Sequence, residues 1–381
     1  MTHVVIVGAG PAGLYCAYLL KREFGDSVKI TIHERNPIDT TWGFGVVFSE
    51  QALEFLANYD SSTHALVTPY LQSWTDIHLQ LEDQRIVLDG IGFTAMDRLT
   101  LLRLLRQQLS TLNVQPVYSS NIQSYQEISA ADLVIAADGS GSLLRQSVAE
   151  ELGVRQESHP NYFIWYGTEQ EFPCLTQTFK SWQGGFYNAH HYRYAPRKST
   201  FIVETDSNSW HETGFDSMNE TETREYLEKV FASELKQHKL ISNRSSWRNF
   251  PRMSVKSWSA GNLVLLGDAL HTAHFSIGSG TRLALEDAVQ LVKSLGEFRN
   301  DWQSALQNYE IRRRPRVEKL LEASYLSMDW YTDFPGHMGL HPLEFAYSYL
   351  QRSGRLDDAT LARIAPRFMD EYRHHKQWSG C

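Results

Sequence analysis

Short apolar runs, each ending in a glycine-containing turn, set the pattern of this chain. Val4-Val5-Ile6-Val7 is four apolar, mostly β-branched residues, as a strand buried on both faces requires. It opens into Gly8-Ala9-Gly10-Pro11-Ala12-Gly13, after which a helix is expected over Leu14–Arg22 and a second strand over Lys29–His33. Two later runs repeat the pattern: Leu133–Ala137 leads into Asp138-Gly139, and Leu263–Leu266 into Gly267-Asp268, with a helix over Thr281–Leu295 beyond. Between them the periodicity changes to two. Ile77–Leu81 and Ile86–Asp89 alternate as a hairpin within Leu71–Gly92, and Tyr162 to about Asn249 alternates as a mostly antiparallel sheet rich in aromatics. Further helices are expected over Gln51–Tyr59 (with Ser49 as N-cap), from Asp97 onward, and over Glu220–Lys236 as a charged cover.

The first turn carries the G-x-G-x-x-G spacing in strand–turn–helix–strand context. Gly8 allows the tight turn, Gly10 admits a pyrophosphate to the backbone, and Gly13 lets the helix pack on the strand. Pro11 and Ala12 complete the cradle at the helix N-terminus, whose free N–H groups and positive dipole end face the phosphates. Glu34 stands at the end of the second strand, where an acid accepts from a ribose, with Arg35 beside it. An adenine dinucleotide is expected here. Arg98 either reaches a phosphate or pairs with a surface acid. In the second turn Asp138 and Gly139 lie beside the cofactor, Ser142 caps the next helix, and Arg145 pairs back to Asp138 or an acid near it. In the third, Asp268 accepts from a ribityl hydroxyl, while Gly278, Gly280 and Thr281 aim N–H groups at electron-rich oxygens.

The fold class expected is α/β (α+β): a Rossmann-like domain with a parallel central sheet from residues 1–70, 93–155 and 255–320. An antiparallel-sheet substrate domain comes from 71–92 and 156–254, and a C-terminal helical segment, 321–381, packs over both. Composition narrows the picture little. A 381-residue chain with 42% hydrophobic residues buries a substantial core. The net charge of −8 offers no support for a nucleic-acid partner. Cys16, Cys174 and Cys381 are too far apart for a C-x-x-C metal site or a disulfide framework, so no metal is expected and Cys16 reads as core. The first strand begins at about Val4, leaving no room for a signal peptide, and no apolar run approaches the roughly 18 residues of a membrane span. A cytoplasmic protein with no membrane partner, monomeric or homodimeric, is the expectation.

The remaining candidates flank a substrate. Thr41–Ser49 holds Gly43 and Gly45 among Trp42, Phe44 and Phe48, a loop whose backbone approaches something flat. His190, His191, Tyr192 and Arg193 lie on an expected strand and are candidates for orienting a substrate. His190 and His191 are adjacent, so they face opposite sides and cannot both line a pocket or jointly bind a metal.

Taken together and in this order, the three turns resemble the FAD-dependent aromatic hydroxylases related to p-hydroxybenzoate hydroxylase. Gly8, Gly10, Gly13 and Glu34 match that family's ADP-binding motif. Asp138, Gly139, Ser142 and Arg145 match its D-G motif, and Gly267, Asp268 and His271 its G-D motif, extended by Gly278, Gly280, Ala284 and Asp287. The chain departs from the pattern at Phe275, usually proline, and at Arg282, usually asparagine. Trp42–Ser49, His274–Gly280, Thr200–Asp206, Phe345-Ala346-Tyr347 and Arg352–Arg355 look most like the aryl-CoA branch, which holds salicylyl-CoA 5-hydroxylase and 2-aminobenzoyl-CoA monooxygenase/reductase. A tryptophan-hydroxylating relative from violacein biosynthesis shares the His-Phe-Ser-Ile-Gly run.

The resemblance implies FAD, NADPH or NADH as a transient reductant (there is no second G-x-G-x-x-G), and O2. It implies hydroxylation of an electron-rich ring through a flavin C4a-hydroperoxide, the substrate an aryl-CoA thioester or a free aromatic such as an indole or phenol. His274, Phe275, Phe44 and Val47 would flank the flavin, His274 as a candidate for handling protons or as a structural histidine. CoA phosphates would need a basic rim, for which Arg193, Arg197, Lys198, Arg248 and Arg252 are candidates. The chain ends where a fused reductase would continue, so plain hydroxylation is expected. Arg312, Arg313, Arg314 and Arg316 read as structural. A flavin halogenase would carry Gly-Trp-x-Trp-x-Ile-Pro, which is not found; a flavin-dependent reductase, acting without O2, and a non-catalytic FAD-binding protein are the rival classes.

Overall fold

The computed structural model describes residues 1–299 and 301–379, so Cys381 lies outside the described residues. A five-stranded sheet runs in the order Ser259–Ala260, Leu263–Leu265, Leu133–Ala136, Thr2–Val7, Val28–His33. Its last four strands are parallel, and only the short edge strand is antiparallel. Val4, Ile6, Leu133–Ala136 and Leu263–Leu265 are almost completely shielded from solvent, which is why they are continuous apolar runs rather than alternating ones. The helices Pro11–Phe24 and Gly280–Glu297 pack side by side on this sheet and share its hydrophobic core. Each of the three turns leaves the carboxyl end of a parallel strand, where open α/β sheets bind ligands.

The second sheet has eight strands, ordered Leu240–Ile241, Val154–Thr168, Lys198–Thr205, Gly185–Ala195, Thr176–Trp182, Ile77–Leu81, Gln84–Leu88, with Arg248–Val255 also paired to Val154–Thr168. It is antiparallel except where Thr176–Trp182 runs parallel to Ile77–Leu81. One face packs under the helices Ser207–Thr213 and Glu220–Val230 through Tyr166, Tyr187, Phe201 and Trp210. The other face turns toward the first sheet and the C-terminal helices, where Phe179 meets Trp330, Tyr331, Phe334 and Phe345.

The expected insertion Leu71–Gly92 divides between sheets. Ile77–Leu88 forms the hairpin, while Gln72–Trp74 joins Gly45–Ser49 and Phe93–Asp97 in a small third sheet. The expected helix over Glu220–Lys236 breaks after Val230 and resumes as the short turn Ala232–Leu235. Trp302–His337 is one continuous helix, so the 320/321 boundary falls inside it. Cys16 and Cys174 are free and buried. No helix among the described residues is long and apolar enough to cross a membrane.

A buried ionic cluster ties the Gly267 turn to the two long helices. Arg313 donates from Nε to Asp287 Oδ1 and from Nη1 to Glu286 Oε2, both at 2.7 Å. Asp287 Oδ2 also meets His271 Nε2 at 2.7 Å and accepts from the Gly267 amide at 3.3 Å. Burial alone would raise the Asp287 carboxyl, but His271 and Arg313 hold it below the usual carboxylate range. Asp287, part of the motif resemblance, therefore holds the turn from beneath, and Arg313 is structural as expected. Arg313→Ala would leave two buried carboxylates without their shared cation. A loss of about 3 kcal/mol follows, read as a lower urea midpoint of the FAD-free protein.

Candidate active site

A cavity of about 810 Å³ lies between the carboxyl edge of the first sheet and the inward face of the second. One end is formed by the three turns: Gly10, Pro11 and Ala12 from the first, Gly139 and Ser140 from the second, Asp268 and Gly278–Thr281 from the third. Gly8 is held at φ +105°, and a Cβ there would lie 2.2 Å from the Ala137 carbonyl oxygen. A Cβ on Gly13 would lie 2.0 Å from the Gly8 carbonyl oxygen. Those two glycines serve the packing of the protein on itself. At Gly10, Gly139 and Gly280 an added Cβ meets no protein atom within 4 Å. Gly10, Gly139 and Gly280 therefore present bare backbone to the cavity, as a phosphate-bearing ligand at a helix N-terminus would require.

Two charged side chains face this end. Asp268 projects into the cavity, and its surroundings push its carboxyl up from the ordinary value, with Arg98 and His271 opposing. Arg98 opens the helix Arg98–Ser110, whose N-cap Asp97 accepts from the Leu99 and Thr100 amides. Its Nε donates to Thr41 Oγ1 at 3.1 Å, and burial pulls its guanidinium below the ordinary value. Arg98 therefore faces the cavity rather than a surface acid.

The other wall comes from alternation on the second sheet. Gln177, His190, Ile202 and Trp165 are successive cross-strand partners, so all four present to the same face and line the cavity. Phe163 and Tyr192 lie two residues from Trp165 and His190 and join them. The Tyr192 hydroxyl donates to the Gly45 carbonyl at 3.1 Å, fixing the Gly45–Ser49 strand, from which Val47 lines the cavity.

Several expectations are corrected by this geometry. Arg193 is one residue from Tyr192, so it faces the other side and approaches Glu171 at 3.9 Å. Phe44 points away from the cavity, its ring against Gly167. The flat surfaces that Gly43 and Gly45 approach are the protein's own Trp165 and Tyr194 rings. His274 does not line the cavity. It is buried behind Phe275, which does, with Nδ1 on Ser276 Oγ at 2.8 Å and Nε2 3.6 Å from Glu204 Oε2. Burial, with His159 and Arg352 nearby, holds His274 well below its ordinary value. Glu34 also lies outside the cavity wall; its oxygens accept from the Ala9 amide and from Asn36 at 2.7–2.9 Å, and Arg35 is exposed. Asp138 Oδ2 accepts from the Leu143 and Leu144 amides, while its buried Oδ1 has no partner among the described residues. Arg145 does not bond Asp138. It clamps the Ala269 and Ser140 carbonyls, joining the second turn to the third.

Sequence reasoning missed Gln177, Trp165, Phe163 and Glu204, whose shared face depends on strand register across four strands. It quoted Arg352 and Arg355 only for resemblance; both line the cavity from the turn after the helix Pro342–Gln351. Arg352 donates to the Ser276 carbonyl at 3.0 Å.

A dinucleotide cradle opening onto an aromatic-walled cavity is the arrangement of a flavoprotein that acts on a flat substrate. The FAD binding domain family matches residues 101–324, more than half the chain, and an NAD(P)-binding Rossmann-like domain matches residues 6–76. The chain is 37% identical to salicyloyl-CoA 5-hydroxylase of a Streptomyces species, over 98% of this chain and 74% of that protein. It is 32% identical to 3-hydroxy-4-methyl-anthranilyl-[aryl-carrier protein] 5-monooxygenase of Streptosporangium sibiricum, over 87% and 90%. Protodeoxyviolaceinate monooxygenase of Chromobacterium violaceum is 31% identical, over 91% and 93%. The solved structure of 2-methyl-3-hydroxypyridine-5-carboxylic acid oxygenase shares the fold at a TM-score of 0.71 with 17% identity, over 93% of this chain and 96% of that one. The chain belongs to the FAD-binding monooxygenase family. It is an FAD-dependent aromatic hydroxylase that uses NAD(P)H and O2.

The two kinds of glycine separate in the FAD-free protein. Gly13→Ala forces the helix off the Gly8 turn and lowers the denaturation midpoint markedly. Gly10→Ala, with open space before it, costs within about 1 kcal/mol as an N-cap change. Chemical denaturation of both FAD-free variants checks the contrast.

Proposed function

We propose that this hydroxylase acts on an aryl-CoA thioester of the salicylyl-CoA or 2-aminobenzoyl-CoA type. The observation that carries the reading is the charge of the cavity wall, which among the described residues holds Arg98, Arg248, Arg352 and Arg355, with Arg282 paired to Glu286, against a single carboxylate, Asp268. Arg248 and Arg355 are exposed and have no carboxylate partner among the described residues. Arg193, Arg197, Lys198 and Arg252, by contrast, lie outside the wall and are engaged by Glu171, Glu169, Asp97 and Asp329. A basic rim over an apolar interior suits a ligand with an aromatic head and a polyphosphate tail. The name of the 37%-identical relative points the same way.

In this reading Gly10, Pro11, Ala12 and the N-terminus of Pro11–Phe24 hold the pyrophosphate of FAD, with Arg98 as a counter-charge. Gly139, Asp268, Gly278, Gly280 and Thr281 hold its flavin half. When bound, FAD takes a hydride from NAD(P)H and activates O2. Phe275 and Val47 confine it, and Phe163, Trp165 and Tyr192 exclude water and orient the substrate ring.

The test follows NADPH and NADH oxidation and O2 uptake by the FAD-loaded protein with salicylyl-CoA, 2-aminobenzoyl-CoA, their free acids and tryptophan. Stimulation with hydroxylated product is expected from a thioester alone; stimulation by a free aromatic alone would overturn the CoA assignment. Arg355→Ala should raise KM for the thioester on the order of tenfold, worth about 1.4 kcal/mol, with kcat unchanged. Asp268→Ala and Gly10→Ala should lose flavin on gel filtration; unchanged flavin content would remove their assigned roles.

A further inference from the structure

One buried acid has no place in the cofactor cradle, the cavity wall or the basic rim. Glu204 is 1% exposed, on the same sheet face as Ile202 but one row deeper. Its Oε1 accepts from Asn161 Nδ2 at 2.9 Å, and its Oε2 has no hydrogen-bond partner among the described residues. Oε2 lies 3.9 Å from His190 Nε2 and 3.6 Å from His274 Nε2. No arginine or lysine pairs with it. A carboxylate so placed is costly to keep charged, and burial pushes it up to about 8. The charged or titratable groups around the cluster are His190 from Gly185–Ala195, His274 from the Gly267–Gly280 loop, Tyr331 from Trp302–His337, His159 from Val154–Thr168, and Arg352.

Hydrogen bonding assigns the tautomers. The Tyr331 hydroxyl donates to Gln177 Oε1 at 3.2 Å, so the Gln177 amide nitrogen faces His190 Nδ1, at 2.6 Å, and donates to it. The proton of the neutral His190 ring therefore sits on Nε2, the side of Glu204. The Ser276 amide likewise donates to His274 Nδ1, which places that ring's proton on Nε2. His190 thus stands between two environments. Its Nδ1 side faces Gln177 in the cavity wall, and its Nε2 side faces a buried acid that the cavity does not reach.

We propose that His190 and Glu204 form a proton relay in the floor of the cavity. The relay rests on the aromatic hydroxylation of this family and not on the choice of a CoA thioester. In that reaction one atom of O2 bonds to a ring carbon, and the other leaves as water, reduced by the two electrons of NAD(P)H. The C–H electron pair returns to the ring and the hydrogen departs as a proton. His190 accepts that proton at Nδ1, displacing the Gln177 N–H, and passes its Nε2 proton to Glu204 Oε2. The imidazole is neutral before and after, and the buried carboxylate becomes a neutral acid, the form that burial favours. The separation from Nε2 exceeds a direct hydrogen bond by roughly 1 Å, a gap that a small rotation of Glu204 closes. His190 is the catalytic residue of the pair, and Glu204 acts through it.

The test uses the FAD-loaded protein, Glu204→Gln, Glu204→Asp and the aromatic substrate that supports turnover. Single-turnover hydroxylation by the wild type should fall as pH drops through about 8, because the relay needs the ionised carboxylate. In Glu204→Gln the rate should drop about 100-fold and lose that pH dependence, while flavin content and flavin reduction by NAD(P)H stay unchanged. Glu204→Asp should restore part of the rate and the pH dependence. A Glu204→Gln enzyme that keeps the wild-type pH profile overturns the relay. If Glu204→Gln fails to retain FAD, infrared difference spectra of the wild-type protein against pH decide the matter. A buried carboxylic acid that ionises near or above neutrality is expected, and its absence overturns the proposal.

Discussion

Two backbone approaches tighter than any side chain permits govern this structure. The Gly8 turn presses against the Ala137 carbonyl, and the first helix presses against the Gly8 carbonyl at Gly13. These contacts bring the carboxyl ends of the first and second turns side by side. Arg145 then reaches across from the second to the Ala269 carbonyl of the third, and Asp287 holds the third from below. Three segments separated by more than a hundred residues thus become one wall. The turns so joined present the bare backbone of Gly10, Gly139 and Gly280 to the cavity.

The opposite wall follows a different rule. It needs no special backbone, only alternation and register. His190 reaches the cavity because Gln177, Ile202 and Trp165 are its neighbours across the sheet, and His191 cannot because it is one residue further along. His191 instead stacks on Phe201 and Phe172 in the core under the cover helices. One sheet face therefore supplies an apolar, desolvated surface for an aromatic ring, and its reverse supplies the core that holds it flat.

The difference between these rules explains what could be read from the chain. The strands, turns and parallel sheet announce themselves locally, as continuous apolar runs ending in glycine, and the three motifs lie at the cavity as their spacing implies. His190 and His191 were legible as facing opposite sides, but which of them meets the cavity was not, and Arg193 turned away, since the face of a strand is decided by what packs on it and not by the residue's chemistry. Phe44 and His274 sat in glycine-rich loops, where no periodicity fixes direction: Phe44 fills the space above Gly167, and His274 turns inward to Ser276. The role of Glu204 was not legible because its isolation arises from pairings with Asn161 and Phe163 on one strand and Asn188 on another.

Charge completes the argument. Among the described residues Asp268 is the one carboxylate in a wall that holds five arginines, and it sits where the glycine turns meet. Phe163, Trp165, Ile202 and Phe275 add an apolar surface among those charges, as an anionic ligand with an uncharged, flat portion would require. Glu204 lies behind that surface, outside the cavity, beside His190 and His274, which burial keeps uncharged. Arg352 comes near this cluster, but its guanidinium donates to the Tyr349 and Ser276 carbonyls. A dry, apolar floor of this kind would meet a flat ring only after water has been excluded.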